Sequence, residues 1–154
     1  MHVRQLFTLI AVALTVACGD NSPTAVPIEQ TTFAPTLDVN LAQSTKASSG
    51  FYYRDITPGT GAVLANGQSV GMRYVGSFAN GEEFDSNAPP KPVFSFTLGS
   101  GQVIKGWDLG LVGMKVGGRR QLIIPPTLGY GRDDYGPIPG NSVLVFVVDA
   151  VSAQ

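Results

Sequence analysis

Trp107, the only tryptophan of this 154-residue chain, is the side chain best suited to form a binding surface. Residues 103–111 read VIKGWDLGL, and Ile104, Trp107 and Leu111 recur at the i, i+3, i+7 spacing that places them on one face of a helix. An isolated helix of fewer than about 12 residues is marginal in water, so this one must lie against a sheet. The indole is then either a plug in the core or the floor of an apolar pocket.

The side chains of conventional catalysis are absent from most of the chain. The only histidine is His2 and the only cysteine is Cys18, so no zinc site of Cys and His ligands and no Ser–His or Cys–His pair can form beyond the N-terminal region. No phosphate-binding GxxxxGK[ST] loop is present. Gly99-Ser100-Gly101 begins like a dinucleotide fingerprint but lacks its third glycine. We therefore predict neither a metal nor a cofactor.

Aromatic residues are the remaining candidates for a site. They are Tyr74, Phe84, Phe94, Phe96, Trp107, Tyr130 and Phe146. Most aromatic side chains of a globular protein belong to its core, but Tyr130 lies between two glycines in a predicted loop. An apolar ring with a hydroxyl tip suits the wall of a pocket.

Strand patterns fill the chain from residue 50 onward. Segments bounded by Gly, Pro and Asn turns predict strands over 51–56, 69–78, 83–85, 94–98, 119–124 and 143–151, with a loop over 125–141. Apolar residues alternate over 69–78 and 94–98. The short helix falls between the fourth and fifth of these strands. We expect an α+β fold in which one helix packs across an antiparallel sheet.

The N-terminus predicts export rather than folded structure. Residues 6–17 are almost wholly apolar and follow a short segment with one arginine, which is typical of a signal peptide over residues 1–17 and too short to span a bilayer. The alternative is a buried hydrophobic helix. Cys18 follows Thr15-Val16-Ala17, which resembles a bacterial lipobox except that Thr15 stands where Leu, Ile or Val is usual. We expect Cys18 to carry a lipid, the alternative being secretion with a free thiol.

Residues 18–49 are rich in Ser, Thr, Asn and Pro, and we predict a flexible tether there, followed by one folded domain over 50–154. Phe33, Leu37, Val39 and Leu41 indicate that the second half of this segment docks on the domain. Only 14% of residues are charged and the net charge is -1, which argues against nucleic acid as a partner.

Six motifs in order carry a family resemblance. They are Gly81-x-x-Phe84-Asp85-Ser86, Phe94-x-Phe96-x-Leu98-Gly99, Val103-Ile104-x-Gly106-Trp107, Gly113-Met114-x-x-Gly117, Leu128-Gly129-Tyr130-Gly131, and Ile138-Pro139 with Leu144-Val145-Phe146. Over residues 50–151 the chain resembles the FKBP-type peptidyl-prolyl cis-trans isomerases. The resemblance implies a twisted antiparallel sheet wrapped around one short helix.

The resemblance also implies a proline site and a role for each of its residues. Trp107 is expected to form the floor under the proline ring, the Ile104 N–H and the Tyr130 hydroxyl to bond substrate carbonyls, and Asp85 to lie near the rotating bond. Asp85 has an alternative role as a structural carboxylate that binds turn N–H groups. The other implied lining residues are Tyr74, Phe84, Phe94, Val103, Ile138 and Phe146.

The implied function is peptidyl-prolyl isomerisation without covalent or metal chemistry, acting on exported proteins as they fold in the cell envelope. The expected partners are proline-containing polypeptides, macrolide inhibitors of the family and, through the lipid, a membrane, weakly favoured as the outer membrane. A monomer is expected. The alternative is a proline-binding chaperone or interaction module with little catalysis. Two departures affect the site: Pro90 stands where many members have an arginine, and the loop over 132–136 is unusually charged.

Overall fold

The computed structural model describes residues 25–154. The predicted signal peptide over 1–17 and the lipid attachment at Cys18 lie outside the described residues.

An antiparallel seven-stranded sheet forms the body of the fold. Its strands are β1 Thr45–Lys46, β2 Tyr52–Thr57, β3 Ser69–Phe78, β4 Glu83–Ser86, β5 Phe94–Thr97, β6 Arg119–Ile124 and β7 Leu144–Ala153. They lie in the order β1-β2-β6-β7-β3-β4, and β5 also pairs with β3. Within residues 25–154 the only α-helix is α1, Lys105–Gly110, between β5 and β6. The predicted fold class, an antiparallel sheet around one short helix, is confirmed.

Two glycines let α1 lie close against β6. A Cβ atom on Gly106 would stand 2.6 Å from the Ile124 side chain, and one on Gly110 would stand 2.8 Å from Leu122. Leu111 is fully buried at the end of the helix. The helical spacing seen in the sequence therefore buries the apolar face of α1 on the sheet, and only glycine permits so short a separation.

A buried guanidinium fixes the C-terminal end of α1. Arg120 of β6 donates from Nε and Nη2 to the two carboxylate oxygens of Asp55 on β2, at 2.6 and 2.9 Å. Its Nη1 donates to the carbonyl of Gly110 at 2.8 Å. The guanidinium also lies 4.8 Å from the ring centroid of Tyr53. One side chain thus joins the last turn of the helix to two adjacent strands.

The opposite face of the sheet is covered by the N-terminal strap, which we define as residues 25–43. Successive residues of a strand point to opposite faces, so Ile123 lies on the face away from its neighbours Leu122 and Ile124. The strap contributes Ile28, which is 3% exposed. The other residues of this second apolar cluster are Tyr52, Ile123, Val143 and Val145, with Phe33, Leu37, Val39 and Leu41 packed against them.

Hydrogen bonds fasten the N-terminal strap along its length. The Gln121 amide donates to the Leu37 carbonyl at 2.7 Å, and Arg54 donates to the Asp38 carboxylate at 2.8 Å. The hydroxyl of Tyr52 donates to the Glu29 carboxylate at 2.6 Å. Short 3-10 turns at Ile28–Gln30, Pro35–Leu37 and Leu41–Gln43 shape the path of the strap.

The predicted boundary between a flexible tether and a domain beginning at residue 50 is therefore wrong for this part of the chain. Thr45 and Lys46 form β1, which pairs with β2, and the strap before them is docked. The physical reason is that polar residues dominate the composition while a few spaced apolar residues cover the otherwise exposed outer face of β2, β6 and β7. The docking indicated by Phe33, Leu37, Val39 and Leu41 is observed.

Candidate functional site

A cavity of about 450 Å³ opens between α1, the β3–β4–β5 side of the sheet and the loop after β6. The predicted site residues on its walls are Tyr74, Phe84, Asp85, Phe94, Val103, Ile104, Trp107, Tyr130 and Phe146. Three further residues line it that the sequence did not single out, namely Gly101, Gln102 and Tyr135. We refer to this cavity as the aromatic cleft.

Trp107 is held by rings that meet it edge to face. The centroid distances are 5.1 Å to Tyr74 and 5.4 Å to Phe146, with interplanar angles of 84° and 83°. Phe94 lies 6.3 Å away at 70°. Such pairs contribute about 0.5–1.5 kcal/mol each beyond their burial. The indole is 4% exposed and also borders the cleft, so the two roles left open by the sequence coincide.

The indole N–H of Trp107 is buried and has no hydrogen-bond partner among residues 25–154. An unsatisfied buried donor is uncommon and unfavourable. The sequence contains no signal for this feature, because it depends on which ring edges surround the indole.

Gly76 of β3 makes room for the aromatic wall. A Cβ at this position would stand 2.7 Å from the rings of both Phe84 and Phe146. Because Gly76 has no side chain, those two rings meet edge to face at 5.5 Å and 88°. The wall of the cleft therefore depends on a residue that does not itself line it.

Asp85 and Tyr74 form the main polar contact of the aromatic cleft. The Tyr74 hydroxyl donates to Asp85 Oδ2 at 2.5 Å. Burial, and next the hydrogen bond to Asp85, raise the pKa of Tyr74 well above its ordinary value. Within residues 25–154 no turn N–H donates to the Asp85 carboxylate, which disfavours the structural alternative considered above. Lys91, the residue next to Pro90, donates to the Ser86 carbonyl rather than to Asp85.

Tyr130 forms the wall opposite, together with a second tyrosine. The rings of Tyr130 and Tyr135 stack with centroids 4.7 Å apart and planes 20° apart. Burial raises the pKa of Tyr130, with smaller contributions from Tyr135 and Asp85. The Tyr130 hydroxyl has no hydrogen-bond partner in the part of the chain that the structure describes. It is therefore available to a bound molecule.

The segment before α1 is tied to the helix by Asp108. Its carboxylate accepts the N–H groups of Gly99 and Gly101 at 2.8 and 2.9 Å. The side chain of Gln102 accepts the N–H of Thr97 at 2.9 Å. Ile104 follows in an extended conformation, with φ −58° and ψ 147°, as the residue that precedes the helix. Its N–H belongs to the first N–H groups of a helix, which have no partner within it.

Ile138, predicted to line the site, is not among the residues that line the aromatic cleft. It is 4% exposed and belongs to the core cluster around α1. The Ile138 N–H donates to the Tyr135 carbonyl, and the Tyr135 N–H donates to the Ile138 carbonyl, which closes a tight turn. Tyr135 is left at the rim with 61% of its surface exposed. Tyr135 was missed although it is the one aromatic residue of a charged loop, a signal that the sequence does carry.

No group of three or more His, Cys, Asp or Glu side chains that could hold a metal occurs among residues 25–154. Over the same residues, no helix has the length and apolar character needed to cross a membrane.

Comparison with known proteins connects this geometry to one family. The model of the family described as FKBP-type peptidyl-prolyl cis-trans isomerase matches residues 61–151. The chain is 54% identical over 111 residues to FK506-binding protein 4 of Rhizopus delemar, covering 71% of this chain and 29% of that protein. It is 46% identical over 117 residues to a peptidyl-prolyl cis-trans isomerase of Saccharomyces cerevisiae, covering 76% of this chain and 28% of that protein. The chain thus spans less than a third of either relative.

Two solved structures share the fold. The structure of FkpA from Escherichia coli superimposes with a TM-score of 0.67 at 35% identity, covering 73% of this chain and 52% of that one. The structure of AtFKBP13 gives a TM-score of 0.68 at 35% identity, covering 72% of this chain and 98% of that one.

Proposed function

This chain belongs to the FKBP-type peptidyl-prolyl cis-trans isomerase family, and from that premise we propose that its aromatic cleft accelerates rotation about X–Pro peptide bonds. The observation that carries the proposal is the buried indole of Trp107, surrounded edge to face by aromatic rings and bordering an open cavity. A flat apolar floor of this kind fits the ring of a proline. The substrate is then a proline-containing segment of another polypeptide.

The reaction needs no nucleophile. Rotation about a peptide bond meets a barrier of about 18–20 kcal/mol because the amide loses resonance when its planes are perpendicular. The twisted amide is less dipolar than the planar one, so an apolar, water-poor site disfavours the planar ground state relative to the twisted state. The walls of the aromatic cleft, built from Tyr74, Phe84, Phe94 and Phe146, supply such a site.

A few polar groups orient the substrate. The Tyr130 hydroxyl and the Ile104 N–H, both from residues that line the cleft, are the proposed donors to substrate carbonyls. Asp85 lies on the same wall as Tyr74, where it accepts that tyrosine's hydroxyl and faces the cavity. A millionfold acceleration corresponds to about 8 kcal/mol, whereas one neutral hydrogen bond contributes about 0.5–1.5 kcal/mol. Shape and desolvation must therefore supply most of the effect.

The direct test is an isomerisation assay on the purified protein with an X–Pro peptide. We expect acceleration by the wild type and lower activity in Tyr130→Phe and Asp85→Val. If all three proteins run near the uncatalysed rate, the proposal fails. If they bind the peptide without acceleration, the cleft is a proline-binding module instead.

We also propose export and lipid attachment, on the strength of residues 1–18 alone. The curated relatives described above are fungal, and they bring no support to this part. Because the strap is docked from Ile28 onward, the predicted tether of about 30 residues shortens to the roughly ten between Cys18 and Ile28. Those residues reach at most about 35 Å when extended. The domain would therefore work close to the membrane surface.

The lipid attachment is tested by expressing the wild type and Cys18→Ser in a bacterium and comparing their amounts in its membrane fraction. Loss of membrane association in Cys18→Ser supports it, and equal partitioning overturns it. The proposed clients are exported proteins, which follows from the export proposed for this chain. Uncatalysed X–Pro exchange takes tens to hundreds of seconds and is slow enough to limit folding.

We further propose that macrolides of the FK506 type bind the aromatic cleft, as the names of the relatives state for those proteins. Inhibition of the isomerase assay by FK506 at a one-to-one stoichiometry supports this. If FK506 still binds when a proline peptide saturates the cleft, its binding site lies elsewhere.

A further inference from the structure

A second groove adjoins the aromatic cleft, and we propose that it binds the residues flanking the substrate proline and selects an acidic side chain through Lys91. The inference rests on the proposed isomerase function. The groove has a volume of about 340 Å³ and shares three lining residues with the cleft, Tyr74, Asp85 and Phe94. We refer to it as the flanking groove.

The flanking groove lies beside the aromatic cleft, which identifies its occupant as the residues next to the bound proline. An extended peptide advances by about 3.3–3.6 Å per residue. Tyr74, Asp85 and Phe94 line both the aromatic cleft and the groove, so a chain with its proline on Trp107 that leaves the cleft over this shared rim enters the groove. Substrate residues within a few positions of the proline therefore reach it.

The far wall of the flanking groove is the connector between β4 and β5, which we define as residues 87–93. Asn87, 7% exposed, fastens its start. The Asn87 side chain accepts the N–H of Tyr74 at 2.7 Å and donates to the carbonyls of Met72 at 2.9 Å and Pro92 at 3.3 Å. These bonds tie both ends of the connector to β3.

Arg73 fastens the middle of the connector. Its Nη1 donates to the carbonyl of Asn87 at 2.7 Å and to that of Lys91 at 2.9 Å. The N–H of Lys91 donates to the carbonyl of Ala88 at 3.1 Å. The backbone that carries Lys91 is thus positioned before a substrate arrives, so little ordering cost remains for binding.

The Lys91 ammonium keeps capacity for a ligand. An ammonium has three N–H donors, and one of them is used by the Ser86 carbonyl at 2.5 Å. None of the ion pairs observed among residues 25–154 involves Lys91.

Asp85 is the other charged group that lines the flanking groove, and it lies on the rim shared with the aromatic cleft. Its Oδ2 is occupied by the Tyr74 hydroxyl. Charge along the site therefore changes from negative beside the proline to positive at the outer wall. A substrate carboxylate is favoured at the outer wall, where it meets Lys91, and disfavoured beside Asp85.

The experiment compares proline peptides that carry Glu, Gln or Lys at each of three positions on either side of the proline. With the full-length wild type, kcat/KM for Glu should exceed that for Gln about two- to fivefold at one position, the range of an exposed ion pair, and Lys should be the poorest. The Glu/Gln ratio should fall towards one as ionic strength rises from about 0.05 to 0.5 M.

Lys91→Met should bring the Glu/Gln ratio to one. Lys115→Met removes the same charge from an exposed residue that lines neither the cleft nor the flanking groove, and it should keep the wild-type ratio. A wild-type ratio of one at every position, or a ratio unchanged in Lys91→Met, overturns the inference. If no peptide is isomerised, the proposed function fails, and the ratio of Kd values for the same peptides still tests Lys91.

Discussion

Replacing Arg120 with methionine should destabilise the fold by about 3 kcal/mol, because one buried guanidinium joins the end of α1 to β2 and β6. The Arg120 side chain is 6% exposed. It bonds both carboxylate oxygens of Asp55 and the carbonyl of Gly110. Methionine keeps an unbranched apolar side chain at the position but removes every donor.

The magnitude follows from what is left behind. Gly110 is buried, and a buried carbonyl that loses its donor costs about 1–3 kcal/mol. Breaking a fully buried ion pair costs about 3–5 kcal/mol, but the Asp55 side chain is 41% exposed and water can solvate it. We therefore take about 1 kcal/mol for the ion pair, the upper end for an exposed one. At about 2.1 cal/mol/K of unfolding entropy per residue, the sum lowers Tm by roughly 10 °C.

Urea unfolding followed by Trp107 fluorescence measures the effect, and the neighbouring residue supplies the control. Arg119 pairs with Asp149, but the side chains of both are exposed, at 51% and 41%. Arg119→Met should therefore cost less than about 1 kcal/mol. Equal losses in the two variants, or a loss below about 1 kcal/mol in Arg120→Met, would contradict the role assigned to Arg120.

Three further predictions follow from single contacts. Gly106→Ala should lower the free energy of unfolding by about 1–3 kcal/mol and reduce isomerase activity, since the added Cβ would stand 2.6 Å from Ile124 and push α1 away from the sheet. Unchanged thermal unfolding and unchanged activity would contradict this. Hydrogen bonds from Lys46 and Tyr52 lower the pKa of Glu29 from 4.5 to about 2, so the stability they provide is present above pH 4.5 and lost as pH falls towards 2. In unfolding curves measured over that pH range, the wild type should lose stability relative to Glu29→Gln, and parallel pH dependence in the two proteins would refute this. Burial raises the pKa of Tyr130, so its hydroxyl stays protonated and kcat/KM should be constant from about pH 6 to 9. A fall of kcat/KM within that range would contradict this prediction and show that a different group titrates.

The strands of the central sheet were predictable because runs of apolar and β-branched residues lie between Gly, Pro and Asn turns. The patterns over 69–78 and 119–124 coincide with β3 and β6. The helix was predictable from the spacing of Ile104, Trp107 and Leu111, although its length of six residues is too short for propensity alone to indicate it.

The N-terminal strap was only partly predictable, since its apolar residues are few and have no regular period. A composition rich in Ser, Thr and Pro is typical of a linker, and nothing local shows that β2, β6 and β7 have an outer face in need of cover. Arg120 and Gln121 carry a related signal in retrospect: each is a polar residue at a buried strand position, and each bonds a backbone carbonyl of another segment.

Within the site, the aromatic residues other than Tyr135 were predictable, and the turn between Tyr135 and Ile138 was not. Tyr135 rather than the predicted Ile138 lines the cleft, because a tight turn between them directs the isoleucine into the core and leaves the tyrosine exposed at the rim. The orientation of side chains in such a turn depends on backbone bonds that no periodicity encodes. The same holds for Gln102, whose place at the rim follows from the bonds of Asp108 to Gly99 and Gly101.

The most direct test of the central claim is the rate of cis–trans exchange of an X–Pro peptide, measured by NMR exchange spectroscopy with catalytic amounts of the protein. The account predicts strong acceleration by the wild type. It predicts a loss of about two- to tenfold in Tyr130→Phe, the value of one hydrogen bond. It predicts a much larger loss in Trp107→Ala, measured on protein whose folding has been verified. Exchange at the uncatalysed rate with the wild type, or full activity in folded Trp107→Ala, would contradict it.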